Sequence, residues 1–192
     1  MHRQSGLSQS EQKWRLIDID VEGRPSVGRL VHACRELIAG QRHILTVWGG
    51  YGVGKTLALQ AVVNEMNERR VPAVYYTTKQ MLDYLRDGMD VGPGERGPRV
   101  TARHDRLAEL PVLALDEFDK ISPTDWVQEQ LTYIIDRRHR LSEAGSHATL
   151  IAMNADPGSL QPWITSRLMA GCNVVVHVEG GDLRPAITER RS

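Results

Sequence analysis

Gly49-Gly50-Tyr51-Gly52-Val53-Gly54-Lys55-Thr56 constrains this chain more than any other stretch. It satisfies G-x-x-x-x-G-K-[ST] at every fixed position. The glycines let successive backbone N–H groups point into one concavity, which suits phosphate oxygens. Lys55 is then placed to reach β- and γ-phosphates, and the Thr56 hydroxyl to ligate Mg²⁺. A helix starting at Lys55 adds the positive end of its dipole. The context agrees. Ile44-Leu45-Thr46-Val47-Trp48 is a short apolar, β-branched run that reads as the strand feeding the loop. Leu57, Ala61, Val62, Glu65 and Met66 follow at helical spacing, with Leu57 the first helix residue beyond the loop. The loop residues Gly49 to Thr56, together with Leu57, are the candidate nucleotide-binding set.

Bulk properties bound the rest. A chain of 192 residues suits one compact domain with a full core. Its 24 basic and 24 acidic residues cancel, so nucleic-acid contact has to come from a local patch. Cys34 and Cys172 lack a partnered spacing and read as small buried hydrophobes. The seven histidines show no zinc-ligand spacing. No apolar run approaches the length of a membrane helix, and the first residues lack a signal-peptide core. A cytoplasmic protein is expected.

Residues 1–13 are polar and read as a flexible N-terminal tail, 14–184 as the folded core and 185–192 as a C-terminal tail. Val27, Leu30, Val31, Cys34 and Leu37 recur at helical spacing up to Gly40. Ala73-Val74-Tyr75-Tyr76 reads as a second strand, and Lys79 to Asp87 as a short helix. Four glycines and two prolines between 88 and 99 predict an irregular, mobile loop. Val112 to Leu115 is a buried strand. Ser122-Pro123-Thr124-Asp125 reads as a helix start with Ser122 as cap. Thr149 to Met153 and Val174 to Val176 complete five strands. Strands alternating with helices, and reading as continuous apolar runs, predict an α/β P-loop NTPase fold with a five-stranded parallel sheet flanked by helices.

Three further groups carry chemistry. Leu113-Ala114-Leu115 ends in Asp116-Glu117. An Asp at the end of an apolar strand, in a chain with a phosphate loop, holds Mg²⁺ through water. The adjacent Glu117 is placed to orient and deprotonate an attacking water. The acid pair favours hydrolysis over transfer to a small molecule. Thr78-Lys79-Gln80-Met81 lacks the Asp of a guanine-reading N/T-K-x-D, which argues against GTP. Asn154, at the end of the strand Thr149 to Met153, can hydrogen-bond the water or the γ-phosphate; its plainer reading is the start of the Asn154-Ala155-Asp156-Pro157-Gly158 turn. Arg167, in Ser166-Arg167-Leu168, could reach a neighbouring subunit's γ-phosphate and stabilise charge there, or be an ordinary surface charge.

The order phosphate loop, Asp-Glu at a strand end, Asn at the next, then Ser-Arg-Leu resembles the AAA+ ATPases. More closely, the chain resembles the DnaC/DnaI helicase loaders and the IstB-type transposition ATPases. Asp116-Glu117-Phe118, Ile134-Ile135-Asp136-Arg137-Arg138 and the ending Val178 to Arg184 add to the match, which runs from about Trp14 to Arg184. The resemblance implies an AAA+ fold, with ATP and Mg²⁺ as cofactors. It gives Lys55 and Thr56 to the phosphates, Asp116 to Mg²⁺, Glu117 to the base, Asn154 to the sensor and Arg167 to a finger acting across a subunit boundary. It further implies self-oligomers with nucleotide at the boundaries, a replicative helicase or a transposase as partner, and single- or double-stranded DNA. The chain departs from the pattern in three places. Residues 1–13 stand where the loaders carry a helicase-binding module, Leu57 stands where many members have His, and the 88–99 stretch looks expanded.

Two basic groups bear on DNA. Arg96, Arg99, Arg103, His104 and Arg106 are interleaved with acids and lack aromatics in sequence. Arg137, Arg138, His139 and Arg140 end a helix, where cations also complement the dipole. An ATP-hydrolysing helicase loader acting on DNA is the leading expectation. An IstB-like partner of a transposase comes next, and a small-molecule P-loop kinase after it.

Overall fold

The computed structural model describes residues 5–87, 96–171 and 173–182, with side chains from 102 onward in the helix that opens at residue 96. The predicted C-terminal tail, Arg184, Cys172 and most of the 88–99 stretch lie outside these residues.

Five strands form one parallel sheet: β1 (Ile44–Gly49), β2 (Ala73–Thr77), β3 (Val112–Asp116), β4 (Ala148–Met153) and β5 (Val174–Val178). Their spatial order is β2-β3-β4-β1-β5. The register pairs Trp48 with Met153, Gly49 with Val178, and Thr77 with Asp116, so the C-terminal strand ends line up along one edge. Helices α1 (Pro25–Ile38) and α2 (Lys55–Glu68) cover one face. Helices α3 (Thr78–Arg86), α4 (Arg96–Ala108), α5 (Asp125–Glu143) and α6 (Pro162–Leu168) cover the other. The strands obey period two. Val112 and Ala114 pack with Leu30, Leu59 and Val62 on the first face, and Leu113 and Leu115 pack with Met81, Leu107 and Ile134 on the second. This is the predicted five-stranded parallel P-loop architecture. Among the described residues no helix is long and apolar enough to cross a membrane.

Three local expectations are corrected. The tail reading fails for residues 5–13. Leu7 is buried, the Ser5 carbonyl accepts from Tyr75 N–H at 2.8 Å on the outer edge of β2, and Glu11 accepts from Gln60 of α2 at 2.8 Å. The polar side chains misled because they serve α2 rather than solvent: Asn64 also donates to the carbonyls of Glu11 and Trp14. The second correction is that residues 96–99, expected to be irregular, open α4. Gly97 and Pro98 fall in its first turn, where N–H groups have no intrahelical partner and a proline costs little. The third concerns α5, which begins at Asp125 with Thr124, not Ser122, as cap; the Thr124 hydroxyl accepts from Val127 N–H at 3.3 Å. Thr124 and Ser122 both offer a hydroxyl, and the cap at Thr124 puts Asp125 in the first turn beside the positive helix end.

Candidate nucleotide site

The loop leaves β1 at Gly49 and re-enters helix at Lys55. Gly49 has φ 146°, and a Cβ there would meet the Val178 carbonyl oxygen at 2.0 Å. Gly54 caps α2 at φ 96°. Gly52 has φ 74°, and a Cβ on it would lie 2.2 Å from Asp182 Oδ1, so the Asp182 carboxylate, on the chain leaving β5, rests directly against the loop. Only glycine meets both demands at 49 and 52. Tyr51 is 68% exposed at the tip, and Gly50 is exposed. Val53 and Leu57 turn their side chains into the core below. Leu57, grouped with the loop from sequence, therefore supports it from beneath.

Lys55 is buried beneath the loop, and its ammonium donates to Gly49 O at 2.7 Å, Gly50 O at 2.6 Å and Asn154 Oδ1 at 3.1 Å. The β1 and β4 strand ends are thus bridged through one cation. Thr56 Oγ1 donates to Asp116 Oδ2 at 2.6 Å. Asp116 is buried, and its second oxygen accepts from Glu117 N–H at 2.8 Å. Thr56 and Asp116 offer hard oxygen donors in direct contact, which fits Mg²⁺. The residues singled out from the sequence lie together along one strand edge as two hydrogen-bonded pairs, Lys55 with Asn154 and Thr56 with Asp116.

Glu117 follows with φ 54°, a left-handed backbone that is uncommon for a glutamate and characteristic of functional turns. Its carboxylate pairs with Lys120 Nζ at 2.5 Å. The hydrogen bond to Glu117 raises the Lys120 ammonium above its ordinary value, against a slight lowering by desolvation. Arg167 stands apart. Its Nε donates to Asp136 Oδ1 of α5 at 2.8 Å, and its side chain is 44% exposed.

Several supporting residues escaped the sequence. Tyr75 OH donates to Asp116 Oδ2 at 2.9 Å, and Thr78 Oγ1 donates to Asp116 O at 2.9 Å. Burial first, then the charge of Asp116, pushes the Tyr75 phenol well above its ordinary range, so it stays a donor. Asp119 Oδ2 accepts from Asn154 N–H at 3.0 Å and Ala155 N–H at 2.8 Å, tying the turn after β3 to the turn after β4. The only sequence signal was the second aspartate in Asp116-Glu117-Phe118-Asp119.

The two basic groups separate. Arg138, expected among surface cations, is 1% exposed. It donates to the carbonyls of Leu107, Ala108, Leu110 and Ala148 and to Thr149 Oγ1, so it ties the end of α4 to β4. Burial lowers its guanidinium to about 9. Arg137 pairs with Glu109 at 2.8 Å. The other group does gain aromatics: Arg103 lies 4.8 Å over the Tyr84 ring and Tyr84 stacks with Tyr76 at 6.2 Å, while Arg86 of α3 lies 4.7 Å over Trp126.

The profile of the ATPase family associated with various cellular activities (AAA) matches residues 45–174. The replicative helicase loader DnaI of Bacillus subtilis is 25% identical over 121 residues, 63% of this chain and 36% of its own length. The chain thus spans about a third of that relative. AMPPCP-bound DnaA from Aquifex aeolicus superposes with a TM-score of 0.75 at 18% identity, over 93% of this chain and 54% of that one. The DnaC helicase loader superposes at 0.68 with 21% identity, over 90% and 100%. With the phosphate loop, the acid-ended strand and the sheet order all in place, the chain belongs to the AAA family of ATPases, and its sequence relatives include a helicase loader of the DnaI kind.

Proposed function

We propose that the chain binds ATP with Mg²⁺, hydrolyses it, and uses the cycle to load a replicative helicase on DNA. The observation that carries the chemistry is the convergence of two hydrogen-bonded pairs, Lys55 with Asn154 and Thr56 with Asp116, at three neighbouring strand ends beside Glu117. Lys55 would exchange its loop carbonyls for β- and γ-phosphate oxygens. Thr56 and Asp116 would hold Mg²⁺, which when bound neutralises charge on the phosphates. Glu117 would take the proton of the attacking water, and Asn154 would orient that water or the γ-phosphate. Arg167, exposed on α6, would serve a neighbour's site in a self-oligomer.

The likeness to DnaI and to the DnaC loader favours a helicase over a transposase as partner. The Arg103, Tyr84 and Tyr76 cluster with exposed Arg106 supports a DNA contact on the α3–α4 side: stacked rings and guanidinium groups suit single strands. The test is phosphate release with Mg²⁺-ATP, with and without single-stranded DNA, plus affinity capture of the host's replicative helicase with ATP present. No turnover under any of these conditions would leave nucleotide binding alone. Turnover without helicase capture would remove the loading role.

A further inference from the structure

Lys120 has no counterpart in the roles assigned above, yet it sits across the mouth of the site. Its ammonium is 2.5 Å from Glu117 Oε1 and 5.3 Å from the centre of the Tyr51 ring, at the tip of the phosphate loop. One side chain therefore reaches both the carboxylate assigned as base and the ring at the tip of the phosphate loop. The backbone makes this placement. Glu117 at φ 54° begins a tight turn in which Lys120 N–H returns to Glu117 O at 3.1 Å, which brings residue 120 back onto residue 117. Asp119, from the same turn, holds the backbone of Asn154. Adjacent residues of one turn thus govern the two groups assigned to the water.

We propose that Lys120 is a positioning residue for Glu117: the ion pair holds the carboxylate in a resting setting beside Tyr51, and opening of the pair frees Glu117 to turn to the attacking water. The proposal rests on Glu117 being the base. An ammonium at 2.5 Å takes one acceptor direction of the carboxylate and competes with water for that oxygen. The partners are 41% and 44% exposed, so the pair is weak. A pair of this kind shifts a population by about twofold to fivefold. That restrains turnover in the resting protein, and an arriving phosphate or subunit can still displace it.

The experiment compares the wild type with Lys120→Ala and Lys120→Arg by phosphate release at saturating ATP. Lys120→Ala is expected to raise kcat about twofold to fivefold at low ionic strength with KM for ATP unchanged. Lys120→Arg, which keeps the charge, should return the rate to that of the wild type. The gain should vanish at about 0.5 M salt, where an exposed pair is screened. A readout independent of turnover is acetylation of the Lys120 amine in nucleotide-free protein, followed by peptide mass spectrometry. It should be faster in Glu117→Gln than in the wild type. A kcat that is unchanged or lowered in Lys120→Ala, a raised KM, or equal acetylation in the two proteins would overturn the proposal. The base assignment fails separately, if Glu117→Gln turns over at the wild-type rate.

Discussion

A buried lysine that bonds two carbonyls of its own loop could be a structural staple or a phosphate ligand, and these differ in what its loss does. Lys55 contacts Gly49, Gly50 and Asn154, all at the strand edge, while the apolar core lies below through Val53 and Leu57. Lys55→Ala is therefore expected to lower affinity for a fluorescent ATP analogue at least tenfold while the melting temperature without nucleotide changes little. A ligand of phosphate behaves this way; a staple would show the reverse. Arg138 is the opposite case. Truncating it leaves four carbonyls and a hydroxyl without their donor, so Arg138→Ala should cost on the order of 3–5 kcal/mol in urea unfolding. Its folded value near 9, below the ordinary 12.5, means the unfolded chain binds more protons only between those limits. Stability from this residue rises with pH in that window and is flat at neutrality. Cys34 has the opposite sign. Burial pushes its thiol from 9.0 to about 12, so between those values the unfolded chain sheds a proton that the folded one keeps, and stability falls as pH rises. The Cys34 peptide should resist iodoacetamide at pH 8 in the folded protein and react once urea unfolds it.

At the scale of elements, legibility followed how local the signal was. The phosphate loop, β3 ending in Asp116, and β4 ending before Asn154 are apolar runs bounded by chemistry in the same few residues, so composition alone located them. Helix α4 was hidden because Gly97 and Pro98 read as breakers everywhere except in a first turn. Residues 5–13 were hidden because their anchors, Tyr75, Gln60 and Asn64, are distant in sequence. Arg138 was unreadable for the same reason: nothing in Arg137-Arg138-His139-Arg140 says which cation faces inward. Glycine at 52 follows from tertiary structure as well as from loop geometry, since a Cβ there would collide with Asp182 on the chain leaving β5. Gly52→Ala should then fold but bind the ATP analogue at least tenfold more weakly, because an alanine at φ 74° strains the loop even where the Asp182 side chain swings aside. An affinity equal to that of the wild type would show that the loop absorbs this strain.

For the whole molecule, the question is whether the site is complete within one chain. Lys55, Thr56, Asp116, Glu117 and Asn154 share one edge of the sheet, whereas Arg167 is held by Asp136 on α5. An exposed guanidinium paired at 2.8 Å with a partly exposed acid is easily redirected, since such pairs are worth about 1 kcal/mol or less. If a neighbouring subunit's phosphate is its working partner, Arg167→Ala should bind ATP almost normally and hydrolyse it poorly, because a finger supplied in trans contributes on the order of 10³ in rate. Glu117→Gln should be slowed by about 10² or more for want of its base. Each variant carries the half that the other lacks. Mixing the two creates boundaries where an intact Glu117 faces an intact Arg167, so phosphate release against mixing ratio should rise to a maximum between the two inactive ends. The measurement belongs at concentrations where ATP-bound protein elutes as an oligomer, with DNA added if assembly needs it. A flat profile together with a monomeric ATP-bound species would make Arg167 an ordinary surface arginine and move the reading toward a monomeric kinase.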